Sequence, residues 1–193
     1  MSKAFLNFIV GVYVARYLGP ESFGILSYSL GLSIMFSIFM EMGVESVLMR
    51  DLIKFSEKEN ELLGSAVVLR GIGGLLSLAL VSLFLWCSGA NREIWTLTLV
   101  CSSSFLIRPF FILSYYFEAK VQAKYVVLAD WFQVIITSAL RIYFIVGGFD
   151  VIWFAISWLG EWVFSIAALM LFYRQTDFAL LSIQFSIHWR LLF

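Results

Sequence analysis

Stretches of about twenty mostly apolar residues recur along this chain, and short gaps between them hold most of its charge. A helix rises about 1.5 Å per residue, so roughly 20 apolar residues match the ~30 Å hydrocarbon core of a bilayer. At 62% hydrophobic and 13% charged, the 193 residues are too apolar for an ordinary soluble domain. The expected fold is therefore an all-α, polytopic membrane helical bundle with about six transmembrane helices, over residues 4–18, 24–40, 64–86, 94–116, 126–146 and 151–173. Such a protein moves something across the membrane, senses something, or does chemistry on a lipid.

Composition narrows the choice. The formal net charge is zero, and no basic soluble surface points to nucleic acid. Two cysteines, Cys87 and Cys101, give neither a disulfide framework nor metal-ligand spacing. The single histidine, His188, reads as an interfacial polar residue, because a metal site wants several ligands. No metal and no cofactor are expected. Lys3 precedes apolar sequence with a poor cleavage site at 13–15, which reads as a membrane anchor and not a removed signal. The first run is short for a bilayer, as a helix whose start lies upstream of Met1 would be.

Lys and Arg in the gaps set the orientation. Lys3, Arg50, Lys54, Lys58, Lys120, Lys124, Arg174 and Arg190 fall in one set of gaps, and only Arg16 and Arg92 in the other. Both termini are therefore expected in the cytoplasm. In the longest gap, residues 41–63, Val44, Leu48, Leu52 and Phe55 recur at helical spacing between charges. That predicts an amphipathic connector on the cytoplasmic surface. Ser56 and Glu59 fit a capping box opening the third helix. Residues 174–193 are expected as a cytoplasmic tail.

The spans themselves carry polar stripes. Asp130, Gln133, Thr137, Ser138 and Arg141 lie on one arc of the fifth run, roughly 140° wide at 100° per residue. Such an arc should face the bundle interior or a water-filled cavity. Ser29, Ser33, Ser37 and Glu41 step by four along the second run, as do Ser157, Glu161 and Ser165 along the sixth. Arg70, Gly74 and Ser77 share a side of the third. Ser104 and Arg108 share one of the fourth, where Pro109 should kink the helix near its cytoplasmic end. In the bland reading, small polar residues pack helices and charges pair or snorkel. Glu161, near mid-span, resists that reading most, since a charge there costs at least ~2.5 kcal/mol on insertion scales. From the helical spacing, Arg141 and Glu161 are expected to be offset by a turn or more, out of a tight salt bridge.

Three segments resemble a known family. Residues 15–30, ARYLGPESFGILSYSL, resemble the first-loop signature of O-antigen and polysaccharide-unit flippases of the multidrug/oligosaccharidyl-lipid/polysaccharide (MOP) superfamily, carried by Arg16, Tyr17, Leu18, Gly19, Pro20, Phe23 and Gly24. Residues 43–54, GVESVLMRDLIK, resemble the loop after that family's second helix, and 115–125, YYFEAKVQAKY, the loop before its fifth. The resemblance implies one lobe of a two-lobe fold, with a second helical bundle as a partner absent from this chain.

It also implies translocation of an undecaprenyl-pyrophosphate-linked oligosaccharide, an O-antigen or exopolysaccharide repeat unit, across the bacterial inner membrane, and not an enzymatic reaction. A pyrophosphate in a low-dielectric cavity wants cationic partners. Arg141, Arg70 and Arg108 are the candidates, with Asp130, Glu161 and Gln133 as cavity or ion-coupling residues. A small-molecule exporter of the same superfamily is the alternative, although mixed Arg and acid favour an anionic lipid. A Mg²⁺-dependent enzyme on a polyprenyl substrate would need clustered carboxylates, and no Asp-x-x-Asp or Asp-x-Asp exists here. A non-transporting membrane fragment is the remaining reading.

Overall fold

The structure, a computed structural model, describes residues 2–41, 43–55 and 58–176. His188, Arg190 and the rest of the tail beyond Thr176, and Ser56 of the expected capping box, lie outside the described residues. The chain runs through helices α1 (Ser2–Glu41), α2 (Val44–Lys54), α3 (Glu59–Cys87), α4 (Arg92–Ser102), α5 (Leu113–Ala119), α6 (Ala123–Val146) and α7 (Val151–Thr176), with 3₁₀ turns Ser103–Leu106 and Arg108–Ile112 between α4 and α5. Among the described residues there is no strand, and the fold is an all-α membrane bundle. Lys3–Glu41, Glu59–Cys87, Ala123–Val146 and Val151–Arg174 are each long and apolar enough to cross a bilayer, and the bent pair Arg92–Leu106 and Arg108–Ala119 supplies a fifth.

The expected first and second runs meet in α1. A straight helix of its 40 residues would be about 60 Å long, twice a bilayer core. It is instead broken at Gly19, with φ 73° and ψ 174°. That backbone region is essentially open to glycine alone. Pro20 then starts the second half, where its missing N–H costs nothing.

Contacts show where the two halves go. Lys3 pairs with Asp130 near the start of α6, while the Tyr17 hydroxyl donates to the Phe149 carbonyl beyond its end. The first half thus runs alongside α6. The second half returns along α3. Leu32 shares a cluster with Val81 and Leu85, and a Cβ on Gly73 would stand 3.0 Å from the Met40 Cα. The halves lie side by side, as two separate runs would.

The fourth run bends by 44°. Its break is longer and more central than the expected kink near one end, because the 3₁₀ geometry runs from Ser103 to Ile112. Pro109 has no N–H to give Phe105, and its ring crowds that carbonyl. The Phe105 carbonyl lies against α3 instead, where a Cβ on Gly74 would stand 2.5 Å away. Only a glycine admits this approach, so the Gly74 of the expected polar side is a seat for the bend.

Helix α2 forms where the amphipathic connector was expected. Val44, Leu48 and Leu52 are buried, in one cluster with Leu62 and Leu63 of α3 and Tyr116 and Phe117 of α5. Its apolar side therefore packs on the bundle, while Ile53 and the following Phe55 are exposed along with its charged residues Glu45, Arg50 and Lys54. The large helices turn most of their small polar residues inward, among buried apolar clusters, and leave many large apolar side chains outside. On α6, Gln133, Thr137 and Ser138 are buried while Val127, Leu128, Phe132, Ile135 and Ile142 are exposed. A protein whose solvent is hydrocarbon shows this arrangement.

Candidate functional site

The polar residues of the interior form two groups. The first joins α6 and α7. Arg141 Nη2 donates to Glu161 Oε1 at 2.5 Å, and its Nε donates to Ser157 Oγ at 3.1 Å. The Ser157 hydroxyl in turn donates a hydrogen bond to the Phe154 carbonyl. The expectation that Arg141 and Glu161 stay out of a tight salt bridge is overturned. Helical side chains lean toward their own N-terminus. On antiparallel α6 and α7 that tilts Arg141 deeper into the bundle and Glu161 back toward the 147–150 turn, so the offset closes. Both side chains are mostly buried, 16% and 17% exposed.

Asp130 lies on the same arc of α6 but pairs with Lys3 at 2.7 Å, with both side chains more than a third exposed or nearly so, 34% and 40%. Gln133 is buried between these two pairs along the helix. The arc read from the sequence thus faces inward, and both of its charged ends are neutralised by a partner.

The second group joins α1, α2, α3, α5, α7 and the 3₁₀ turns. Arg108 Nη2 donates to Glu41 at 2.8 Å, and its guanidinium lies 4.3 Å from the centre of the Trp162 ring. Arg70 is different. It is 3% exposed and forms no ion pair among the described residues. Its Nη2 donates to the Tyr115 hydroxyl at 3.2 Å, and its guanidinium stands 5.1 Å from the Tyr115 ring centre. The Tyr115 hydroxyl in turn donates to Glu45 Oε2 at 3.1 Å.

Two buried donors in this group, Arg70 Nε and Trp162 Nε1, have no acceptor among the described residues. A buried donor without a partner costs about 1–3 kcal/mol, more when charged. Arg70 and Arg108 also lie within Coulombic reach of each other. Two guanidiniums, two orphaned donors and one carboxylate in direct contact leave the group short of acceptors. What it can do chemically is hold an anion with several acceptor oxygens. Among the described residues no cluster of His, Cys, Asp and Glu has metal-binding geometry.

Tyr115, Trp162, Glu45 and Lys3 were not named as site residues from the sequence. Tyr115 entered the sequence reading only as part of the 115–125 resemblance, and Trp162 lies next to Glu161, where an aromatic reads most simply as packing. Glu41 did carry a signal, as the fourth step of the Ser29–Ser33–Ser37 series, and that series does face inward: Ser33 is hydrogen-bonded to Ser102 of α4.

One family pattern, described as "Polysaccharide biosynthesis protein", matches residues 1–187. No curated protein and no solved structure matches the chain significantly.

Proposed function

The chain belongs to the polysaccharide biosynthesis protein family of membrane flippases, and on that premise we propose that it translocates an undecaprenyl-pyrophosphate-linked oligosaccharide repeat unit across the bacterial inner membrane. The observation that carries the substrate chemistry is Arg70, a buried guanidinium with, among the described residues, no carboxylate in contact and no acceptor for its Nε. A lipid pyrophosphate supplies the acceptor oxygens that this cation lacks. Arg108 stands beside it and can reach the same anion by exchanging Glu41 for it. Arg141 can do so only by leaving Glu161 and Ser157, so it ranks last of the three. Asp130, Glu161 and Gln133 line the interior as neutralising or ion-coupling groups.

In this reading the chain crosses the membrane six times with both termini cytoplasmic, and a second helical bundle faces the Arg70 group. Reporter fusions at Lys58 and Asn91 should report opposite sides. Cells lacking the gene should lose surface polysaccharide and accumulate the lipid-linked unit in the cytoplasmic leaflet. Unaltered polysaccharide in such cells would refute the proposal.

One observation favours a second reading. Glu41 and Glu45 line an open cavity of about 390 Å³ with Gly43, Ser46 and Met49. Carboxylates at a mouth suit an exporter of organic cations. Raised sensitivity to cationic dyes in the deletion strain, with normal polysaccharide, would favour it.

A further inference from the structure

We propose that Tyr115 is a positioning residue that insulates Arg70 from Glu45, keeping the buried guanidinium un-neutralised for a pyrophosphate-class anion. This rests on the anion-binding reading of the Arg70 group and goes beyond it, by naming what keeps the cation available.

The geometry places a neutral phenol between two opposite charges. Arg70 comes from α3, Tyr115 from α5 and Glu45 from the surface helix α2. The hydroxyl accepts from Arg70 at 3.2 Å and donates to Glu45 at 3.1 Å. A phenol can do both at once, because it carries one donor and an acceptor. The ring also supports the guanidinium from below through a cation–π contact. Each charged group is thereby satisfied in part, and neither neutralises the other.

Direct contact would have a different result. An Arg–carboxylate pair is short, bidentate where geometry allows, and strengthened by burial. Arg141 shows that outcome in this same protein. If Glu45 reached Arg70, an incoming phosphate would have to displace a carboxylate from a buried site. With Tyr115 interposed, it displaces no carboxylate and, once side chains part to admit it, meets Nε, which lacks an acceptor among the described residues.

The test follows from the insulating role. The purified 193-residue chain in nanodiscs is titrated with inorganic pyrophosphate, and in a second arm with farnesyl pyrophosphate in the bilayer. Tighter binding in the second arm assigns the headgroup to a lipid, and equal binding assigns it to a free anion. Arg70→Gln should abolish binding in both. Tyr115→Ala should weaken it about tenfold, the value of one charge-assisted interaction. Adding Glu45→Gln to Tyr115→Ala should bring affinity back to within about threefold of the parent, because the competing carboxylate is then gone.

Glu45→Gln alone should bind at least as well as the parent. That rescue is the readout a merely structural tyrosine would not give. Tyr115→Phe with and without Glu45→Gln carries the same comparison if the alanine variant fails to fold. Parental affinity in the Tyr115 variants, or no rescue by Glu45→Gln, overturns the proposal while leaving the anion reading intact. Parental affinity in Arg70→Gln overturns both.

Discussion

Arg141, mostly buried, and Arg70, fully buried, both sit on inward faces of long apolar helices, yet the bundle treats them in opposite ways. Arg141 is neutralised: a carboxylate at 2.5 Å takes one nitrogen and Ser157 another. Arg70 has a phenol, an aromatic face and an orphaned Nε. A neutralised pair inside a membrane protein joins helices. A buried cation with no carboxylate in contact among the described residues is the one the anion-binding proposal rests on. The difference lies in which helix faces which, and burial alone does not reveal it.

The contrast breaks or holds most visibly at Glu161. Glu161→Ala leaves Arg141 buried beside an empty place, and breaking a buried pair from one side typically costs about 3–5 kcal/mol. The double change Arg141→Met with Glu161→Leu should recover most of that, since an apolar pair of similar volume is often neutral. Arg70→Met should cost almost nothing, or stabilise, because it removes a poorly satisfied buried charge. Guanidinium-free unfolding in mixed detergent micelles measures all three. Equal losses in Glu161→Ala and Arg70→Met would erase the distinction between the two sites.

A smaller effect separates the two regions mechanically. Gly74 seats the Phe105 carbonyl, and with it the 3₁₀ segment that carries Arg108 and leads into Tyr115. Gly74→Ala overpacks that seat, at about 1–3 kcal/mol. It should disturb anion binding at Arg70 and leave the Arg141–Glu161 pair unchanged. Cysteine crosslinking between α6 and α7 at parental efficiency, together with weakened pyrophosphate binding, is the expected pattern. Parental pyrophosphate binding would mean that the bend does not position the Arg70 group.

Much of this was legible in the sequence. The apolar runs gave the helices, the gap between residues 18 and 24 the break in α1, and Pro109 the bend. The period of the polar residues on α6 gave the face that turns inward. Periodicity acts within one helix, and it works because lipid exposes the other face to hydrocarbon. The pairings were not legible, because they depend on side-chain lean and on contacts between elements far apart in sequence. Arg141 and Glu161 looked offset when counted as points on two axes, and met once their side chains leaned toward each other. Tyr115 carried no signal of its own beyond its place in the 115–125 segment. Its role exists only because α2 brings Glu45 to one side of it and α3 brings Arg70 to the other.

The smallest expected effect tests the edge of the neutralised region. Lys3 and Asp130 are paired at 2.7 Å but keep 40% and 34% of their side chains exposed. An exposed pair gains little over its hydrated ions, so Lys3→Met should cost under about 1 kcal/mol and the cost should shrink as salt is added. Yet Lys3 also lies within Coulombic reach of Glu161. If its loss costs several times more, and adds non-additively to Glu161→Ala in a double-mutant cycle, then Lys3, Asp130, Glu161 and Arg141 form one coupled network. The comparison would then set a four-residue ionic lattice, locking α1, α6 and α7 together, against a single insulated cation. A small, salt-sensitive and additive effect keeps Arg141–Glu161 as a self-contained pair. Arg70 would then differ from Arg141 through its immediate neighbours alone, with no contribution from the wider charge of the bundle.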